Sequence, residues 1–321
     1  MSQDTYVVIE HLRGQVADIS YVMLAAAREL AQNTGGKVVG VLLGHNSQKL
    51  AKNLAADRVL YLDHPILAEF TSDAYQTVLS GLLEEKKPRA AIFGSTTIGA
   101  DVASVLSARL NLPLVGLCQS FAPGEKYISQ ICGGKIMAEG SLPSPTVLVT
   151  MIPGGYKPEQ GYSEQAPELT EVEVRPFGEM RVKLKAYIEP EAGDVDISKE
   201  AILVSVGRGI QTEDNIELAE ELAELINGTV SASRPIVDQG WLPPSRMVGK
   251  SGQTVKPKLY LAMGISGAPE HVEAITDSEM IIAINTDPAA PIFDIAQYGA
   301  EIDMLDLLEA LIEQVKEAQE A

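Results

Sequence analysis

Five clusters of small and polar residues in the last third of the chain could act together. Gly207, Arg208 and Gly209 follow the apolar run "AILVSV". Ser233 and Arg234 follow "TVSA". Val248, Gly249, Lys250 and Ser251 lie in "MVGKSGQT". Gly264, Ser266, Gly267 and Ala268 follow "LYLAM", with Pro269, Glu270 and His271 behind them. Asn285, Thr286 and Asp287 end the stretch "EMIIAINTD". Glycines let backbone N–H groups come close to phosphate oxygens, serines donate further bonds, and arginines add charge, so the set suits a nucleotide diphosphate. It does not suit hydrolysis, because no nucleophile, base and acid stand together. Walker-type phosphoryl transfer is excluded by the absence of GxxxxGK[ST]. Cys118 and Cys132 form no CxxC pair, and His11, His45, His64 and His271 show no HExxH spacing, so no metal site is expected.

Taken singly, each cluster is weak. "GRGIQT" lacks the third glycine of GxGxxG, and a Gly-X-Gly after a strand is more often a tight turn than a cofactor loop. An arginine after a strand is commonly a solvated end, "SGQT" could be a hairpin turn, and a lone histidine is commonly a core residue. The clusters converge only if the preceding strands are parallel, because ligands of an open α/β sheet bind outside the carboxyl ends of its strands. On that condition they form a dinucleotide site whose identity stays open.

The elements that must place these residues are legible as alternation. In the first half, strands are predicted at 5–11, 37–44 and 90–95, and helices at 19–36, 71–88 and 99–112. The segment "KLAKNLAADRVLYLD" reads as a helix followed by a short strand. Over 114–151 the helices stop, and short strands separated by Gly and Pro suggest an antiparallel extension of a mostly parallel sheet. The second half restarts the alternation, with strands at 201–206, 229–233, 258–264 and 279–287. Helices are predicted at 212–228, from about 268, and at 304–318. Thr212 is the expected N-cap of the first, Gly228 its terminator, and positions 216, 219, 222, 223 and 226 its apolar face. The fold expected is α/β in two domains: an N-terminal α/β domain over 1–189, a linker at 190–198 in the acidic "AYIEPEAGDVDIS", and a doubly wound parallel domain over 199–321.

The chain has 321 residues, 45% of them apolar, and a formal charge of −19. That charge argues against nucleic acid and against an anionic membrane surface as partners. No apolar run is long enough to span a bilayer. The opening "MSQDTYVVIE" shows neither a basic n-region nor an apolar h-region, and two unpaired thiols are expected, so a reducing, cytoplasmic setting is the expectation.

"VGRGI", "SRPIVDQGWLP", "VGKSGQTVKPKLYLAMGISGA", His271, "AINTDPAAPIFDIAQYG" and Asp303 occur in an order and spacing that closely resemble the α subunits of electron transfer flavoproteins, the FixB family. "VVIEH", "FGSTTIGADVASVLSARL" and "GGKIMAE" extend the resemblance over the N-terminal half. It implies one FAD held mainly by the second domain and a heterodimer with a β subunit contacted by the first. It also implies electron transfer between flavin dehydrogenases, for example of the acyl-CoA type, and a quinone reductase or other acceptor. Simple transfer and electron bifurcation are both open. Residue by residue, Arg208 and Ser233 match FAD-binding positions, and Val248, Gly249, Lys250 and Ser251 match the segment beneath the flavin. Ser266, Gly267, Ala268, Pro269, Glu270 and His271 match the stretch that runs from the phosphates to the ring. Asn285, Asp303 and Met304 match further contacts, and Arg234 matches the arginine over the isoalloxazine.

Arg234, His271 and Ser251 are thereby implied to tune the flavin. A cation about 4 Å from the developing charge contributes at most about 4 kcal/mol at an effective dielectric near 20. His271 is suited to donate to the flavin O2 carbonyl. The sequence departs from the family pattern where "QTG" reads "KSG" and "GAIQH" reads "GAPEH". Lys250 brings a charge near the cofactor, Ser251 keeps a hydroxyl, Pro269 suits a first helical turn, and Glu270 adds a carboxylate that disfavours a bound anion unless it turns outward. The rival readings are a nucleotide-binding regulatory or assembly subunit without electron transfer, and an NAD-dependent enzyme on a similar sheet. The pairing of Arg234 with His271 argues for flavin.

Overall fold

The computed structural model describes residues 2–132, 134–174, 176–178, 180–187 and 195–320. The chain divides into two compact units, residues 1–187 and 188–321.

The first unit contains β1 (Thr5–Val8), β2 (His11–Leu12), β3 (Gln15–Val16), α1 (Asp18–Thr34), β4 (Val38–Gly44), β5 (Arg58–Asp63), α2 (Ser72–Lys86), β6 (Ala90–Gly94) and α3 (Thr97–Leu110). Then come β7 (Leu114–Ala122), β8 (Lys126–Ile131), β9 (Ile136–Ser141), β10 (Val147–Met151) and β11 (Glu168–Glu171). Among the described residues, nine strands pair in the order β11-β5-β4-β1-β6-β10-β7-β8-β9. Strands alternate side chains between faces, so β1 sends Val7 towards α1 and Tyr6 and Val8 towards α2 and α3, filling a core on each side of the sheet. The expected antiparallel extension exists in β7, β8 and β9. It does not reach 151: β10 returns to the sheet interior and lies parallel between β6 and β7. The helix read in "KLAKNLAAD" is only the 3-10 turn Gln48–Ala51. Fully buried Leu54 bridges to Tyr162, and the Ala55 amide donates to the Gly161 carbonyl, so tertiary pairing overrides helix propensity there.

Of the expected linker, residues 190–194 lie outside the described residues. Asp196 caps the 3-10 turn Ile197–Lys199, and Ile197 is wholly buried in the core of the second unit, so this end of the segment is packed chain.

The second unit contains β12 (Ile202–Val206), α4 (Ile216–Leu225), β13 (Thr229–Ala232), α5 (Arg234–Asp238), β14 (Leu259–Met263), α6 (Pro269–Val272), β15 (Ile281–Asn285), β16 (Tyr298–Glu301) and α7 (Met304–Glu320). Its sheet is wholly parallel, in the order β13-β12-β14-β15-β16. After β12 the chain first adds β13 on one side and then returns to add β14 on the other. The switch point therefore lies between β12 and β14, where open α/β sheets bind ligands. α4 and α7 cover one face, over Val204, Val206 and Leu261; the other face buries Leu203, Tyr260 and Ala262 beneath Ile265 and Ile275. Thr212 does not cap α4. The helix opens after Asn215, whose Nδ2 donates to the Ile210 carbonyl, because a turn over 208–215 occupies the expected first turn. At its other end Asn227 takes the left-handed φ of 54°, and the Gly228 amide donates to the Ala223 carbonyl. Among the described residues no helix is long and apolar enough to cross a membrane.

Candidate functional site

Parallel pairing of β12, β13, β14 and β15 brings the loops after them to one rim, as the condition on the five clusters requires. A cavity of about 830 Å³ opens there, within the range of small-molecule and cofactor sites. Arg208, Ser233, Arg234, Val248, Gly249, Lys250, Ser251, Ser266, Ala268, Glu270, His271, Asn285, Asp303 and Met304 line it. Gly267 and Pro269 do not. Gly267 has φ +83°, and a Cβ there would meet the Ile292 backbone nitrogen at 2.3 Å, so this glycine lets the loop pack against residues 291–292. Pro269 opens α6, where its missing N–H leaves no bond unmade.

Close approach to a ligand is not the main reason for the glycines. The Gly207 amide donates to the Met263 carbonyl, and the Gly209 amide to the Gly264 carbonyl. A Cβ on Gly264, at φ +65°, would lie 2.7 Å from both Gly209 Cα and Met304 Sδ. These residues are small because two loops and the start of α7 pack backbone to backbone under the cavity. The expected helix after "GISGA" is a single turn of four residues. It supplies little dipole, so any anion-binding in this loop rests on its amides; those of Ser266 and Ala268 make no backbone hydrogen bond among the described residues.

Several side chains have a second task. Asn285 donates from Nδ2 to the Ile265 carbonyl at 2.9 Å and accepts from the Asp287 amide through Oδ1 at 2.9 Å, which ties the end of β15 to the loop after β14. Asp303 Oδ1 accepts from the Leu305 amide at 2.9 Å at the start of α7, and its other oxygen accepts from Gln211 Nε2 at 3.4 Å. Arg234 is exposed, and its Nε lies 3.2 Å from Asp238 Oδ2 one turn on. Lys250 Nζ lies 3.6 Å from Glu273 Oε2, while the Lys250 amide donates to the Glu270 carbonyl. Burial raises the Glu273 carboxyl above its ordinary value, Lys250 opposes the rise, and Glu270 adds to it.

His271 is buried. Its Nε2 lies 2.8 Å from the Tyr260 hydroxyl, which lies 2.7 Å from Ser205 Oγ. Nδ1 meets no partner in full hydrogen-bond geometry among the described residues. Burial pushes the imidazole down to about 4 against a weaker opposing pull from the Val248 backbone, so at neutral pH the ring is uncharged. Tyr260 and Ser205 were not among the residues expected from sequence. Both sit inside strands, where a tyrosine and a serine read as packing and nothing local marks them as polar neighbours of a residue eleven positions on. Asp238, Gln211 and Thr286 also line the cavity.

The residues fit a bound FAD. Two arginines, a lysine and loop amides without backbone partners suit a diphosphate. Comparison with known proteins gives the same direction. A family profile described as "Electron transfer flavoprotein domain" matches residues 5–176, and one described as "Electron transfer flavoprotein FAD-binding domain" matches residues 196–276. The chain is 36% identical to "Protein FixB" of Clostridium saccharobutylicum, over 97% of this chain and 96% of that one. It is 33% identical to "Acryloyl-CoA reductase electron transfer subunit beta" of Anaerotignum propionicum, over 99% and 97%. It is 31% identical to "Electron transfer flavoprotein subunit alpha" of Bacillus subtilis (strain 168), over 99% and 98%.

Proposed function

The chain belongs to the electron transfer flavoprotein family, as an α subunit, and we propose that the cavity at the switch of its second sheet is where it holds FAD. It works as a heterodimer with a β subunit and carries electrons between flavin dehydrogenases and a quinone reductase or similar acceptor. The observation that carries the cavity assignment is convergence: fourteen of the sixteen residues matched to FAD contacts line one cavity, at the position the strand order selects.

Bound there, FAD supplies the site that takes up and releases electrons. The chain's own residues do the rest. Arg208 and the amides of the loop after β14 suit the diphosphate. Arg234 places a permanent cation at the cavity wall, partly offset by Asp238. Ser251 offers a hydroxyl. His271 enters the site as a neutral ring and not as an imidazolium, because its burial disfavours the charged form at working pH. We place the complex in the cytoplasm, a reading supported by two cysteines that form no disulfide.

The test is to co-express the chain with its β partner and record the visible spectrum. A yellow complex with flavin bands supports the assignment; a colourless complex that gains no such bands on addition of FAD overturns it and favours a regulatory subunit. Counting cofactors then separates two modes: one FAD plus AMP per heterodimer indicates simple transfer, and two FAD indicate bifurcation.

A further inference from the structure

Behind the cavity wall lies a chain of three polar groups, of which Ser205 and Tyr260 are not among the matched FAD contacts and His271 is. Ser205 and Tyr260 come from the neighbouring strands β12 and β14. Leu203 is opposite Tyr260 in the register, so Ser205, two residues further along, shares its face of the sheet. The tyrosine side chain leans along the sheet, with its hydroxyl 2.7 Å from Ser205 Oγ and 2.8 Å from His271 Nε2. Both residues are fully buried. Burial holds Tyr260 well above the ordinary phenol range, so it remains a hydroxyl with one hydrogen to give.

The three groups can share their hydrogens in two ways. In one, Nε2–H donates to Tyr260 and Tyr260 donates to Ser205. The Ser205 hydrogen then has no acceptor among the described residues, and the unprotonated Nδ1 has a lone pair and no donor. The pull of the Val248 backbone, which favours a protonated ring, works against this arrangement. In the other, Ser205 donates to Tyr260, Tyr260 donates to Nε2, and Nδ1 carries the ring hydrogen. Every hydroxyl hydrogen is then used, and Nδ1–H, buried on a ring that lines the cavity, meets the pull of the Val248 backbone. The first arrangement strands the Ser205 hydrogen, whereas the second turns its last hydrogen towards the Val248 backbone, so the second is favoured.

We propose that Ser205 and Tyr260 are positioning residues that fix His271 as the Nδ1–H tautomer, with the ring hydrogen held towards the backbone of Val248 in the cavity loop. This statement does not rest on the reading that the cavity holds FAD.

The experiment uses the full chain in complex with its β partner, labelled with ¹⁵N on histidine, with and without FAD. Long-range ¹H–¹⁵N correlations distinguish a protonated from an unprotonated ring nitrogen, and His271→Gln assigns the signal among the four histidines. We expect protonated Nδ1 and unprotonated Nε2 in wild type from pH 6 to 8. Tyr260→Phe removes the donor to Nε2 and shifts the ring towards Nε2–H; Ser205→Ala shifts it less. Protonated Nε2 in wild type, or a tautomer unmoved by Tyr260→Phe, overturns the proposal. The flavin-free spectrum decides this even if no FAD is taken up, so failure of the cofactor reading is a separate result.

Discussion

Lys250 Nζ stands 3.6 Å from Glu273 Oε2, and both side chains are more than two-thirds shielded from solvent. The sequence shows a cation in the segment proposed to run beneath the flavin. The structure adds its counter-charge, two residues beyond His271, so the net charge brought to the cavity is small. A cation beside a site that gains an electron raises its potential, and an anion lowers it. Lys250→Gln is therefore expected to lower the flavin's first reduction potential and Glu273→Gln to raise it. Each shift should be about tenfold in equilibrium constant, or about 59 mV per electron. The double variant should return near wild type, because the two residues are in contact and their effects couple. A redox titration of the three variants checks this. Shifts of the same sign in both single variants would remove the pair from this role.

Arg234 is expected to matter more than Lys250, because its exposed ion pair with Asp238 is weak. Arg234→Ala should lower the first reduction potential, while Asp238→Asn should raise it or leave it unchanged. Arg234→Lys should fall between wild type and alanine, since it keeps the charge and loses the planar fork. Potentiometry on FAD-loaded heterodimers measures all three. A potential unchanged in Arg234→Ala would show that this arginine has no electrostatic part in the site.

The rim that gathers these residues was legible in the sequence because it depends only on strand–helix alternation and on the residue types at each strand's carboxyl end. The order of the strands is set by long-range pairing, so the return of β10 to the middle of the first sheet was not legible. Nor was the reason for the glycines. "GISGA" reads as room for a ligand, and only the approach of Gly209 and Met304 shows that much of that room is taken by the protein. Asp303 and Asn285 match cofactor contacts in sequence, while their bonds within the fold join residues up to 92 positions apart. Capping by Asp303 could have been anticipated, since an aspartate just before an apolar helical run is an N-cap signal.

Asp303 thus carries two separable roles. As the capping residue of α7, which packs against α4 over Leu308 and Ile312, its loss should cost about 1 kcal/mol of stability. As a cavity residue, its loss should weaken FAD binding. Asp303→Ser keeps a capping oxygen and removes the second carboxylate oxygen that accepts from Gln211. We expect Asp303→Ala to lower the urea midpoint of the FAD-free complex and Asp303→Ser to leave it near wild type, with both variants weaker for FAD by fluorescence titration. Equal midpoints for the alanine variant and wild type would show that the cap contributes nothing.

In the first unit, Glu10 is buried just past β1, where Thr96 Oγ1 donates to its carboxylate at 2.8 and 3.0 Å while accepting from the Gly99 amide in the first turn of α3. Burial pushes its carboxyl up from about 4.5 to about 7, against the opposing bonds from Thr96 and Gly94. A carboxyl that holds its proton more tightly folded than unfolded favours the folded state most below the unfolded value. That advantage is lost as pH rises from about 4.5 to about 7, and stays lost above. The loss amounts to at most about 3 kcal/mol. Glu10→Gln cannot ionise, so it is expected to remove this slope and to be relatively more stable at pH 8 than at pH 5 when compared with wild type. Unfolding free energies of both proteins at the two pH values test this, and an equal change in both would mean that Glu10 does not titrate in this window.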